Sequence, residues 1–458
     1  MTNLQRPPAF AGLLLLVALS STLRAQDEAA PAAAPQTPRG FQIRSISTFG
    51  AYYSSGLPST GAVPTSGSGL QSDGAFGGSA EFDWMHFSER SSFSLIYTPT
   101  YTGQVRYSSV NALNHALSLN AAHHLAPRWN VGFTMAAGVS TLESFLFAPT
   151  HLGAVAAVPS SFQDLANALL QSQFGNNPQL GSVLTSASVL ESPLTTLLYG
   201  QRVFSASAGS TISYSYSPRL NFTFDVGGAR SQHLSDSQPL AAGNGTLALN
   251  STSGHAGASF SYSLSPRTQI GGSVESSRSV SQMYDTYATV STLSLSHSLG
   301  RRWILDGHGG VGVTDPVRQI GTVIASVKPY PSAGGSITYK TGSHTFLASF
   351  DRTVNNSYGL GASTGYTGSA SWRWRIPGRQ WWVDSSFSYQ QLDGGGLTNT
   401  SGWHSTTGFN QAIGHHTAFR AEYAYINYSG GLQSSAYKLA ESAVRVSLIW
   451  FPETEAIR

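Results

Sequence analysis

Few residues of this chain are grouped as catalysis would require. Two histidine pairs, His123–His124 and His415–His416, each stand beside a short turn signal. Adjacent side chains of an extended segment point to opposite faces, so neither pair makes a ready bidentate metal site. Gly361–Gly365 (GASTG) formally matches the nucleophile-elbow pattern. That motif works only between a strand and a helix, and here it opens an alternating segment. With no cysteine in the chain there is no thiolate ligand, thiol nucleophile or disulfide. Nor does the phase of the surrounding residues bring a Ser/His/Asp set together. The expectation is a protein that is not an enzyme and holds no cofactor or metal.

The residues with more to say are charges set singly into alternating apolar and polar runs. They are Glu81, Asp83, Asp225, Glu275, Asp306, Arg373, Arg375, Asp384, Arg420, Glu422 and Arg445. Each falls on the polar phase of its run. Their meaning depends on what the two faces of those runs meet.

Composition narrows that question. Charged residues are 10% of the 458, where a soluble domain carries about a quarter. The hydrophobic fraction is nevertheless only 40%, and the mean hydropathy is -0.09. The lost charge has become Ser, Thr, Gly, Asn and Gln rather than continuous apolar core. This argues against a cytosolic α/β enzyme and against a helical membrane protein. An aromatic content of 11% is too high for a disordered coil. A net charge of +3 on so long a chain gives no footing for nucleic-acid binding.

Residues 1–25 read as a secretory signal peptide. Arg6 is the basic n-region, Ala11 to Leu19 (AGLLLLVAL) the apolar h-region, and Ser20 to Ala25 the cleavage region. The apolar run is far shorter than the roughly 20 residues a spanning helix needs. Removing Arg6 and Arg24 from the 25 basic residues leaves 23 against 22 acids, so the mature chain is nearly neutral. Residues 26–40 form an Ala/Pro-rich extended linker. No later run of 18 apolar residues occurs, so this chain could cross a bilayer only as a closed barrel.

Period-two alternation then recurs throughout. Phe204, Ala206, Ala208, Ile212, Tyr214 and Tyr216 alternate with Ser, Gly and Thr. Trp129, Val131, Phe133, Met135, Ala137 and Val139 do likewise, as do Leu220, Phe222, Phe224 and Val226. Each such segment has one apolar and one polar face. The segments run for about 10–14 residues, beyond the 5–6 usual in a soluble sheet and close to what a tilted strand needs to cross hydrocarbon.

Short turn signals punctuate the segments at Ser88–Ser91, Ala126–Arg128, Ser217–Arg219, Ser265–Arg267, Gly300–Arg302, Thr341–Ser343, Pro377–Arg379 and Gly414–His416. Longer Gly/Ser/Asn-rich connections are expected at Ser54–Ser72, Ser231–Ser253, Asp315–Val327 and Asp393–Gly402. Short turns on one side and long loops on the other are the asymmetry of an outer-membrane barrel. Trp84, Trp129, Trp303, Trp372, Trp374, Trp381, Trp382 and Trp450 all lie near short turns or the chain end, as in an aromatic girdle. Only Trp403 is expected at the other end of its strand.

Eight short turns give sixteen strands, and Phe41–Tyr53 with Ala436–Phe451 make eighteen. The fold class is therefore all-β: a transmembrane antiparallel up-and-down barrel over residues 41–458. A hairpin hidden in Thr141–Gly200 would raise the count to twenty. Otherwise that segment is one long loop, with a short amphipathic helix at Phe162–Gln171, forming a plug or cap over the barrel.

With these features the chain resembles the outer-membrane β-barrel proteins of Gram-negative bacteria, in the porin size class. The resemblance covers residues 41–451 and rests on architecture. Tyr437–Phe451 (YKLAESAVRVSLIWF) is similar to the terminal strand that such proteins present to the assembly machinery, except that Pro452–Arg458 follow it. The resemblance implies an outer-membrane location. It also implies outer-membrane lipid and the assembly machinery as partners, and is compatible with a homo-oligomer. The expected function is passive passage of small hydrophilic solutes. The alternative is a structural or surface-interaction barrel, an adhesin or export-assembly partner, with no open pore. The singly placed charges would then face the lumen, because a charge on the lipid face costs a few kcal/mol. Their mixed signs fit a general hydrophilic path or internal ion pairs in a plugged barrel.

Overall fold

The computed structural model describes residues 40–452 except 55–71, 107–110, 142–201, 235–249, 282–283, 320–327, 357–361, 379–380, 395–396, 415 and 433–434. The leader and linker expected over 1–40 lie outside the described residues, apart from Gly40. So do the helix expected at 162–171 and the interior of the long connection.

Eighteen strands follow one another along the chain. The first nine are β1 (Gly40–Tyr53), β2 (Asp73–Phe87), β3 (Ser91–Gln104), β4 (Ala112–Ala126), β5 (Trp129–Thr141), β6 (Arg202–Ser217), β7 (Leu220–His233), β8 (Ser251–Ser265) and β9 (Thr268–Ser281). The rest are β10 (Tyr284–Leu299), β11 (Trp303–Gln319), β12 (Lys328–Lys340), β13 (His344–Asn356), β14 (Ala362–Arg375), β15 (Trp381–Gly394), β16 (Leu397–Ile413), β17 (Thr417–Leu432) and β18 (Ser435–Trp450). Each pairs antiparallel with its chain neighbours, and β18 pairs with β1 from Ile46↔Trp450 to Tyr53↔Ala443. The sheet is closed. No edge is left with unpaired backbone groups, the condition for placing strands in hydrocarbon.

The outward face is apolar. Phe133, Ile212, Phe224, Val311, Phe387 and Leu448 are among its exposed side chains. In a soluble protein so much apolar exterior would be untenable; in lipid it is the solvated surface. An aromatic girdle marks the short-turn end. Trp129 packs on Tyr214 at 4.5 Å, Trp303 on Tyr339 at 4.3 Å, and Trp374 meets Trp372 and Trp381 at 6.2 and 6.3 Å. Toward the opposite end, Arg278 stacks over Tyr287 and Arg352 over Tyr366. The separation of Tyr366 from Trp374 along β14 spans roughly 20 Å of barrel height at the usual strand rise and tilt, close to the height of an outer-membrane apolar band.

All eight short turns fall where the sequence places them, and β1 begins and β18 ends on that side. Three expected loops are shorter than the sequence reading. β11 continues to Gln319, β15 and β16 leave only 395–396 between them, and β7 and β8 enter the expected Ser231–Ser253 connection. Polar, Gly-rich sequence continues as strand there because backbone pairing with at least one neighbour continues, β11 beyond Thr314 with β10 and β7 beyond Ser231 with β6; side-chain polarity alone does not end a ladder. Trp403 accordingly lies within β16, against Phe387 and Tyr425, and not at a strand end. Ser363 of the GASTG segment lies inside β14, which runs on as strand with no helix behind it.

One tryptophan leaves the girdle. Trp381 and Trp382 are consecutive strand residues, so they cannot share a face. Trp381 is outside, on Phe409. Trp382 is inside, against buried Ala418, Ile449 and Phe451. Phe451 also ties down the chain end: its amide donates to the His416 carbonyl at 2.7 Å, and His416 Nδ1 lies 2.9 Å from its carbonyl.

Candidate functional site: the polar inner wall

The alternation that turns Phe, Trp and Leu outward turns Ser, Thr, Asn and the singly placed charges inward. Small hydroxyl residues pair across the strands, as in Ser47–Ser79, Ser273–Thr292 and Ser349–Ser369, each at 2.7 Å. The charges gather into two groups on different arcs of the wall.

The first arc runs from β14 through β18 to β1 and β2. Arg373, Asp384, Gly408, Glu422 and Arg445 are successive register partners, forming one lateral row across five strands. Asp384 is the hub. It accepts from Arg373 Nε at 2.6 Å, Asn410 Nδ2 at 2.9 Å and Trp382 Nε1 at 3.2 Å. Arg420 donates to both oxygens of Glu422, at 3.0 and 3.3 Å, and approaches Asp384 at 3.9 Å. Its guanidinium lies over Gly408, where a Cβ would stand 3.2 Å from Nη2. Farther round, Arg445 caps the Phe49 ring at 4.2 Å. Arg44 meets Glu81 at 3.2 Å and Asp83 at 3.4 Å. Five arginines, counting Arg375, stand with five described carboxylates, counting buried Asp73 at the start of β2, so the formal charge of this arc is balanced.

The second arc runs from β7 to β13. Asp225, Gly257, Glu275, Val290, Gly312 and Tyr330 form a second lateral row, again by successive register pairs. At about 4.8 Å per strand, Asp225 and Glu275 are about 10 Å apart across Gly257. His255 Nε2 reaches Asp225 at 3.4 Å. His308 Nε2 reaches Asp351 at 3.3 Å, the two side chains meeting over Gly334. Asp306 accepts from Ser336 Oγ at 3.1 Å. Between the strand ends, no described arginine or lysine side chain joins these four carboxylates on the inner face.

The positions of the eleven phase-assigned charges can now be stated. Asp83 is fully buried, and Glu81, Asp225, Asp306, Arg420 and Arg445 are nearly so. Arg373, Asp384 and Glu422 belong to the first network, and Glu275 belongs to the second row. Arg375 stands apart, exposed at the short-turn end, with its backbone amide on the Ser343 carbonyl at 2.7 Å.

Four participants were not read from sequence. Arg44 was hidden by a β-bulge: Ile43 pairs with Phe82 and Ser45 with Glu81, leaving Arg44 as the extra residue. A bulge re-aims a side chain that strict alternation would send outward. His255, His308 and Asp351 stand on legible inward phases. The histidines were not among the charges read from phase, and none of the three matters until its cross-strand partner is known. Of the two histidine pairs flagged in sequence, His123 and His416 are each engaged with a neighbour, and His415 lies outside the described residues. His123 Nδ1 shares a hydrogen bond of 2.7 Å with Ser91 Oγ, and His416 is engaged with Phe451.

No protein-family model and no curated protein matches this chain. Among solved structures it is similar to Pseudomonas aeruginosa OccK2 (OpdF), at 10% identity and a TM-score of 0.42, over 90% of this chain and 99% of that one. Acinetobacter baumannii OccAB4 gives 10% identity and 0.41, over 91% and 99%. A BenF-like porin from Pseudomonas fluorescens Pf-5 gives 10% and 0.42, over 89% and 97%. The barrel assignment rests on this chain's own closed strand register.

Proposed function

We propose that the protein is an outer-membrane channel for passive movement of small hydrophilic solutes. The observation that carries this reading is a closed eighteen-stranded barrel whose outer face is apolar and whose inner face is polar and charged. Strand number fixes diameter, and barrels of about 16–18 strands leave an aqueous lumen, whereas eight strands fill with side chains. Balanced ion pairs on one arc and carboxylates on the other supply hydrogen-bonding partners that an entering solute exchanges for water. In this reading the surrounding lipid is the outer membrane's, and the assembly machinery recognises the β18 end during biogenesis. Val444, Val446, Leu448 and Trp450 form the outward stripe of that strand.

Planar bilayers test the reading. The purified, folded protein should give discrete, long-lived conductance steps in KCl that persist at low voltage. A folded barrel that inserts into vesicles yet never conducts would favour the surface-interaction alternative.

A further inference from the structure

We propose that the β7–β13 arc is a binding site for a cationic group, a primary ammonium or guanidinium, on a solute passing through the barrel. The inference rests on the channel reading above. A recess of about 300 Å³ opens along this arc, and Glu275, Asp351, Ser273, Thr292 and Ser294 are among the residues lining it. Glu275 or Asp351, four strands apart along the recess, supplies a contacting carboxylate, and nearby hydroxyls accept the remaining N–H groups. A primary ammonium has three donors to place, and a carboxylate flanked by hydroxyl oxygens matches them.

Two side chains next to the lining, Asp225 two residues from Thr223 and Asp306 two residues from His308 on the inner face, give a second indication. Asp225 and Asp306 are 6% and 9% exposed, and in each Oδ1 is buried without a hydrogen-bond partner. The Tyr330 hydroxyl, at the far end of the same row, is likewise buried and unpartnered. Buried polar atoms are almost always paired, so these three, with Thr286 Oγ1 and Asp351 Oδ1 on the same arc, mark a wall whose hydrogen-bonding capacity the protein itself does not use. Carboxylates with no described arginine or lysine beside them also make a local negative potential that low-dielectric walls focus into the recess.

The placement across the barrel adds direction. In the closed order of eighteen strands, β8 stands opposite β17, so Asp225, His255 and Glu275 face the arc that holds Arg420 and Arg445. A solute with a cationic end in the recess would turn its other end toward that arginine-bearing wall.

Calorimetric titration of putrescine (1,4-diaminobutane) into the folded full-length protein in detergent tests the proposal without relying on conductance. Wild type should bind putrescine, and Glu275→Gln/Asp351→Asn should bind it at least tenfold more weakly. Glu89→Gln, at an exposed short turn away from the inner wall, should bind as wild type does. Heat-modifiable gel mobility verifies folding. If the double variant does not fold, Glu275→Asp against Glu275→Gln provides the comparison, with binding kept by the first and lost in the second. Absence of putrescine binding to wild type, or equal binding by the carboxylate variants, overturns the proposal. Conductance of the same preparations is scored separately: a conducting barrel that ignores putrescine sinks only the recess, and a binding barrel that never conducts sinks the channel.

Discussion

Glu422 stands directly opposite Arg445 across the β17–β18 ladder, and their shared row continues through Gly408 to Asp384 and Arg373. Cross-strand neighbours of opposite charge stabilise a sheet, and here the pattern spans five strands beside the β1–β18 closure. A closed barrel depends on every seam holding. These ion pairs brace the wall next to the seam that joins the first strand to the last.

Asp384 should therefore be the most sensitive member of that network. Replacing it by Asn keeps the volume but removes the charge that Arg373 and Arg420 share. Breaking a buried pair leaves uncompensated charge and costs a few kcal/mol; because Asp384 is partly exposed, about 2 kcal/mol is expected. Urea unfolding of the protein in lipid vesicles measures the loss. A midpoint equal to that of wild type would show that the network is decorative.

At the bulge, Arg44 is the cation nearest Asp83, whose side chain is fully buried. Arg44→Ala should destabilise the barrel by about 2 kcal/mol, since a buried carboxylate loses its counter-charge. Adding Asp83→Asn should recover part of that loss, because the unpaired charge disappears with it. A double-mutant cycle over Arg44 and Asp83 reads the coupling. Strict additivity would mean that the contact contributes nothing.

The architecture was legible because period-two alternation is long and uninterrupted, and because the eight short turns recur in step with it. Facing direction is read from the phase, which assigns Glu422 and Arg445 to the polar face before any pairing is known. Register could not be read. It is set by the backbone ladder, and only the ladder brings Arg373, Asp384 and Glu422 into one row, or Asp225 and Glu275 into another. Phase also fails where the chain departs from strict alternation, as at Arg44. It fails again where two like residues are adjacent: Trp381 and Trp382 both suggested the girdle, yet only Trp381 reaches it. Two histidines escaped notice for a third reason, since His255 and His308 acquire meaning only from the aspartates beside them.

The assignment of faces itself is open to a direct test at two consecutive residues of β5. Phe133 is 40% exposed on the outward side, between Val131 and Met135 on the same face. Thr134 points inward beside Gly209, where an added Cβ would lie 3.3 Å from its hydroxyl. An arginine on the lipid face near mid-membrane costs about 2–4 kcal/mol, whereas one on the lumen face stays hydrated. Phe133→Arg should thus lose most of its heat-modifiable, membrane-inserted form, while Thr134→Arg should assemble nearly as wild type does. The space beside Gly209 gives the longer side chain room to lie along the wall. Quantifying the folded fraction on unheated gels after refolding into vesicles separates the two. Equal impairment of both variants, or greater impairment of Thr134→Arg, would mean that the faces are reversed and that the charged rows described above do not line a lumen.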